Sequence, residues 1–202
     1  LALDDDGNCY AAGSLRGEVD MEGGHKLDAG YEGPRQGYIL QYSPDGNWLR
    51  GRTDTTFTCI NSMEAYAQHL YAAGEYRNFY MGWGWPLMDS KILLTKYDRT
   101  LRPVWERSCG GRASMQSLDI VRGMGIDEEG SAYLTGYFFS DRLDFAGDSL
   151  VNIWNLNYFY QQSFVLKYDS SGREVWSKAI GGSLNETGSD IAVIGKDSFY
   201  LA

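Results

Sequence analysis

Apolar residues along this chain come in short runs, some alternating with polar residues and some continuous, and many runs end at an AspGly, GluGly or SerGly pair. That pattern predicts strands joined by tight turns, because side chains alternate across a pleated sheet and these pairs accept the positive φ of hairpin turns. The clearest set places strands at about Ile120 to Ile126, Ser131 to Gly136, Phe164 to Tyr168 and Glu174 to Ala179. No window carries a sustained helical stripe, although Met63 to His69 is compatible with a helical turn.

The same set recurs along the chain. LDDDGNCYAAG at 3–13, AYAQHLYAAG at 65–74 and IDEEGSAYLTG at 126–136 share a tyrosine, and a fourth copy opens at DSFYLA. That tyrosine is Tyr10, Tyr71, Tyr133 and Tyr200, a period of roughly 60–70 residues. A second block runs YILQYSPDGNWLRG from Tyr38, ILLTKYDRTLRPVWERSCGG from Ile92 and FVLKYDSSGREVWSKAIGG from Phe164, aligning Tyr42, Tyr97 and Tyr168. The last two copies add Trp105 and Trp176 and the pairs Gly110–Gly111 and Gly181–Gly182.

Each unit therefore predicts four antiparallel strands, A to D, with approximate limits 1–56, 57–119 and 120–189 and a fourth unit opening at 190–202. Four-stranded units at this period fit the blades of a propeller better than a solenoid, whose repeats are shorter, and a closed sandwich leaves the in-register recurrence unexplained. The predicted fold class is all-β: a β-propeller segment of four-stranded antiparallel blades, three repeats plus the start of a fourth. By this alignment the chain starts inside one strand A and stops inside a strand B, so the remaining blades, of the same or another chain, are expected to close the ring.

Composition agrees, since 25 Gly, 6 Trp, 15 Tyr and 8 Phe in 202 residues supply turn formers and strand formers together. A net charge of −9 argues against a sequence-independent grip on nucleic acid and against anionic lipid surfaces. No apolar run approaches the roughly 18 residues of a membrane span. Leu1 to Asp6 has neither the basic start nor the apolar run of a signal peptide. Cys9, Cys59 and Cys109 are an odd number without CxxC spacing and are expected to be small buried hydrophobes that do not pair with one another.

The third unit carries DEEGSAYLTGYF, RLDFAG and SFVLKYDSSGREVWSKAIGG, and the first carries DDDGNCYAAGSLRGEVDMEGG. These segments resemble the bacterial SBBP-type repeat, a seven-bladed β-propeller type, whose units read approximately as a DxxGNxYVTG strand pair, a VDF stretch, an FVxKYD strand and a WSKxxGG ending. The first unit departs from it after Trp48, and the second has Gln68 and His69 where the AspGly turn belongs. The resemblance implies a secreted, periplasmic or cell-surface bacterial protein and carries over no catalytic residues.

Other constellations read more simply as structure. The carboxylates of residues 4–8, AspAspAspGlyAsn, suit a hard cation, but the ligand spacing of an EF-type loop is missing and the same place in the third unit is a plain A-to-B turn. Asp119 and Asp190 recur before strand A, where they either line a central funnel, as paired glycosidase carboxylates do, or cap the connecting loop. YDSSGREVW and YSPDGNW are similar to segments of quinoprotein propellers, whose vicinal Cys pair is absent here. Trp105 and Trp176 are instead expected to pack between blades. His25 and His69 occupy unrelated positions, so neither a triad nor a zinc site can be assembled, and no phosphate-binding glycine loop is present.

The expected role is a non-catalytic exported scaffold for a protein partner or surface glycan, with no catalytic residue, metal or cofactor. The alternative is part of a propeller enzyme, glycoside hydrolase or quinoprotein-like, whose catalytic residues lie elsewhere. The B-to-C connections, FYMGWGWPLM at 79–88 and IWNLNYFY at 153–160, nominate Trp83, Trp85, Trp154, Tyr158 and Tyr160 as partner-binding residues. They are expected on one face, beside GlyGly loops at 110 and 181, because clustered aromatics suit sugar stacking or a protein hot spot. Local burial of these rings over the blade tops is the competing expectation.

Overall fold

The computed structural model describes residues 1–82, 85–112, 118–152, 160–196 and 198–202, with the backbone alone described at 22, 79–82, 85–88 and 111–112. The first sheet takes β1 (Ala2–Leu3), β2 (Cys9–Leu15) and, after a separate hairpin of β3 (Glu18–Asp20) and β4 (Lys26–Asp28), β5 (Gln36–Tyr42) and β6 (Trp48–Asp54). The second takes β7 (Cys59–Tyr66), β8 (His69–Gly82), β9 (Trp85–Asp98) and β10 (Pro103–Arg112). The third takes β11 (Ile120–Ile126), β12 (Ala132–Phe138), β15 (Gln162–Tyr168) and β16 (Glu174–Ile180), and the hairpin of β13 (Arg142–Phe145) and β14 (Asp148–Val151) that falls between β12 and β15 in sequence joins the second sheet. A last pair, β17 (Ile191–Ile194) and β18 (Ser198–Leu201), completes an all-β chain in which neighbouring strands are antiparallel. One short 3-10 turn, Glu22–Gly24, stands among the described residues, and no helix there is long and apolar enough to cross a membrane.

Register repeats as the sequence does. Tyr10, Tyr71 and Tyr133 each sit on the second strand of their sheet, opposite Gln41, Lys96 and Lys167 on the third. The turns share one chemistry as well. Asp127 Oδ1 accepts the amides of Glu129 and Ser131, and Asp4 Oδ1 those of Asp6 and Asn8. The AspAspAspGlyAsn run is thus a hairpin turn whose first carboxylate is taken up by its own backbone, with Gly7 supplying φ +80°.

Turns between third and fourth strands follow the same plan. Asp98 takes the amides of Thr100 and Arg102, and Asp169 those of Ser171 and Arg173. The Ser171 hydroxyl and then Arg173 hold the Asp169 carboxyl down at about 2, against 3.8 unperturbed. Asp169 therefore binds its proton more weakly when folded than when unfolded. Its contribution to stability is complete above the unfolded value and disappears as pH falls from 3.8 toward 2. Asp98→Asn with Asp169→Asn keeps the acceptor oxygens and is expected to flatten the acid limb of stability, read as denaturation midpoints from neutral pH downward. An unchanged limb contradicts this account.

Successive sheets stack face to face in chain order. Tyr71 and Ala73 belong to a core with Leu134, Phe164 and Tyr168 of the third sheet, whereas Leu70 and Ala72, pointing the other way, join Tyr10 and Ile39 of the first. Inner strands such as β9 and β15 are buried on both faces, which is why they read as continuous apolar runs rather than strict alternation. Tyr133 and Val165 make a third core with Ile191, against Phe199 and Leu201. Tyr200 faces away from that core and is 71% exposed.

Polar latches recur between the sheets at matching places. Arg52 and Arg107 stand opposite Ile39 and Leu94 on their fourth strands. Arg52 Nη1 donates to the Leu101 carbonyl and Arg107 Nε to the Gly172 carbonyl, both at 2.7 Å and both in the next sheet's last turn. Tyr71 Oη donates to Gly130 O and Tyr133 Oη to Lys196 O, again one sheet onward. Both tryptophans pack between sheets as expected: Trp105 sits edge-on to Tyr71 and against Gly172, and Trp176 lies against Tyr133 and Phe199.

Four local expectations are corrected. Met63 to His69 is no helical turn but the end of β7, a two-residue hairpin turn at Ala67 and Gln68, and the start of β8. That turn is shorter than the third sheet's, so Cys59 matches Ile120 rather than Val121 in register. The 79–88 segment extends β8 and β9 into one long hairpin rather than looping away, with Asn78 opposite Asp89 and Gly82 opposite Trp85. Gly110 and Gly111 form no loop either, because β10 continues through them to pair with Asp144 and Leu143 of β13. The third unit thereby adds a hairpin to the second sheet, which becomes six-stranded. All three cysteines are free, Cys109 buried and the others half-buried.

Candidate functional site

The ends of the second strands build the site. Arg16 lies just past β2, and Arg77 lies at the matching place in β8, six residues beyond its tyrosine in each case. Glu75 stands two residues before Arg77 on the same face of β8, is 1% exposed, and pairs with it at 2.6 Å. The first strand of this sheet and that of the next each carry a bulge, at Asn61 in β7 and at Arg122 in β11, where one extra residue breaks the ladder. A bulge re-aims its side chain. Asn61 Nδ2 donates to Glu75 Oε2 and to Val121 O, while Arg122 reaches over the Tyr137 ring at 5.6 Å.

Together with the 33–35 loop these groups enclose a recess on the face where second strands lead to third strands. Its inner part, about 300 Å³, is lined by Ser14, Cys59, Glu75, Arg35, Arg77 and Arg122. An outer groove of about 670 Å³ shares Arg35, Thr58 and Arg77 and adds Arg16, Tyr76 and Asn78. Four guanidinium groups thus converge in a chain of net charge −9. Arg16 donates through Nε and Nη2 to the Tyr31 carbonyl, and Arg35 Nη1 to Ser14 Oγ.

Burial pushes the Glu75 carboxyl up, opposed first by the Arg77 charge and then by the Asn61 hydrogen bond. Burial, then Glu75, pushes the Cys59 thiol up as well, so it stays protonated at neutral pH and is no activated nucleophile. What the recess can do chemically is grip an oxyanion. Arginine forks match the paired oxygens of a carboxylate, sulfate or phosphate.

Of the aromatic residues nominated by sequence, Trp83, Trp154 and Tyr158 lie outside the described residues. Trp85 opens β9 opposite Gly82, on the arm of the long hairpin that rises from the recess residues Tyr76 to Asn78. Tyr160 is half-buried just before β15, its carbonyl accepting Asn152 Nδ2 at 2.8 Å, and it does not line the recess. The arginines were the residues overlooked. One signal for them was legible, the recurrence of Arg16 and Arg77 at the same offset from the repeat tyrosine.

The recurring acids separate. Asp119 is fully buried and accepts the Ser140 hydroxyl and amide, so it ties a connection down rather than lining an opening. Asp190 is exposed and lies with Glu64 along a second cleft, about 580 Å³, where the first strands of successive sheets come together. Burial, then the Asp190 charge, raises the Glu64 carboxyl above its ordinary value. A scan against protein-family models finds no match for this chain, and a search of curated proteins finds none.

Proposed function

We propose that this chain is a segment of a β-propeller of the SBBP-repeat type from an exported bacterial protein, acting as a non-catalytic scaffold that binds a protein or surface glycan. In this reading each of the three large sheets is a blade, the second widened by the β13–β14 hairpin, and the stacking of sheets in chain order with recurrent latches supports it. One observation carries the binding role: among the described residues four arginines converge on one recess at the face that also bears the long hairpin of Trp85. A cluster of one charge sign in a chain of the other attracts an oppositely charged ligand and holds it in register.

A second reading, an enzyme that unlike the alternative expected from sequence uses residues of this chain, draws on the Glu64 and Asp190 cleft, where two carboxylates of unlike environment stand along one opening. An array of bacterial surface glycans and exported proteins, probed with the chain and with Arg16→Glu plus Arg35→Glu, tests the proposal. Retention is expected, reduced at least tenfold by the double substitution, with the ligand recovered intact. No retained ligand, or equal retention by the variant, removes this face from consideration. Release of cleaved product moves the function to the enzyme reading.

A further inference from the structure

We infer that the recess takes an acidic saccharide, a sugar whose ring substituent is an oxyanion, with Arg35, Arg77 and Arg122 gripping the anion. This rests on the reading of the face as a binding surface. The oxyanion follows from the lining: every cation is arginine, whose planar fork delivers two parallel hydrogen bonds, and no lysine takes part. Glu75 neutralises one arginine at most and fixes Arg77 in position, which leaves a net positive inner chamber.

The saccharide follows from the rest of the lining. Ser14 and Thr58 hydroxyls and the Asn78 amide offer neutral donors and acceptors for ring hydroxyls. Tyr76, 38% exposed, presents a ring at the outer groove against which the C–H face of a sugar can stack. Chambers of about 300 and 670 Å³ hold a compact ligand. A protein partner would be anchored instead by apolar side chains in desolvated pockets, and beside its arginines and buried carboxylate the inner chamber offers only Ile120 and Cys59 to receive them. An acidic peptide meets the charge requirement but leaves the hydroxyl and amide groups with less to bond.

Isothermal titration calorimetry of the full chain decides it, with oligogalacturonate, sulfated dextran, neutral dextran and oligoglutamate as probes. At least one acidic saccharide is expected to bind, and which one does identifies the oxyanion as carboxylate or sulfate. Neutral dextran is expected not to bind, and oligoglutamate at least tenfold more weakly. Arg35 and Arg122 are both exposed, so Arg35→Ala with Arg122→Ala should leave the thermal midpoint unchanged and weaken saccharide binding at least tenfold. Arg35→Lys with Arg122→Lys keeps the charge without the fork and is expected to fall between the two. Failure of both acidic saccharides overturns the inference, as does saccharide binding unaffected by the double alanine variant. Oligoglutamate binding as tight as the saccharide also overturns it, while leaving the face a binding surface. The array experiment judges that wider reading separately.

Discussion

Gly136→Ala is expected to destabilise the chain by about 3 kcal/mol or more, read as a lower urea midpoint at unchanged slope. Gly136 lies in β12 with a strand on either side, opposite Val121 and Phe164. A Cβ there would stand 1.9 Å from the Ile120 carbonyl oxygen and 2.9 Å from its carbon. Those atoms are backbone at the β11 bulge and cannot rotate aside. Gly74 repeats the arrangement, its Cβ position 2.0 Å from Cys59 O beside the β7 bulge. Gly13 occupies the same place in the first unit, but the nearest atoms to a Cβ there belong to the Tyr38 side chain, at 3.1 Å or more, and a side chain can give way. Gly13→Ala should therefore cost far less. If the two substitutions prove equally tolerated, close approach at the bulge is not what requires the glycine.

Asp54→Ala should cost about 3 kcal/mol, because it strands partners that have been taken out of water. Asp54 is 4% exposed at the end of β6. Its Oδ2 accepts the Tyr97 hydroxyl at 2.7 Å and faces Arg52 Nη2 at 3.2 Å, and its Oδ1 takes the Thr56 hydroxyl and amide. Burial, then Asp54 itself, pushes the Tyr97 phenol far above its ordinary value, so it remains a donor across the accessible pH range. The matching register in the next sheet holds Cys109 beside Tyr168. A thiol is thus tolerated by this geometry, and Asp54→Cys should retain more stability than Asp54→Ala. A double-mutant cycle with Tyr97→Phe measures the contact. Strictly additive losses would show that the pair contributes nothing beyond its separate parts.

Much of the fold was legible because its determinants are local or repeat. β11 spans the predicted Ile120 to Ile126, and β16 adds only Ile180 to the predicted Glu174 to Ala179. Turns fell where an Asp could bond amides two and four residues on, a preference of the side chain itself. The recurring tyrosine marked one register position, since a side-chain period of two keeps equivalent residues on the same face once the turns are placed. Burial on both faces was also readable, from runs such as ILL and FVL that a half-exposed strand would interrupt with polar residues.

Pairing beyond the repeat was not legible. GlyGly at 110 reads as a loop in isolation, yet it continues β10 because β13, from a different unit, supplies the hydrogen bonds. The aromatic stretch at 79–88 reads as an insertion, and cross-strand pairing with its own second half makes it a hairpin. The recess depends on the same kind of information. Arg16 comes from just past the second strand of one sheet and Arg77 from the second strand of the next, Arg35 from a loop, and Arg122 from a bulge whose existence depends on the register of β11 against β12. Sequence by itself determined the repeated strands, their Asp-anchored turns and the face on which the recurring tyrosine lies, because those follow from steric and hydrogen-bonding preferences within a few residues. Only the tertiary structure decided which strands become neighbours, where a bulge turns an arginine inward and that guanidinium groups far apart in the chain share one chamber. Those outcomes arise from packing one sheet on the next, and no single segment carries that information.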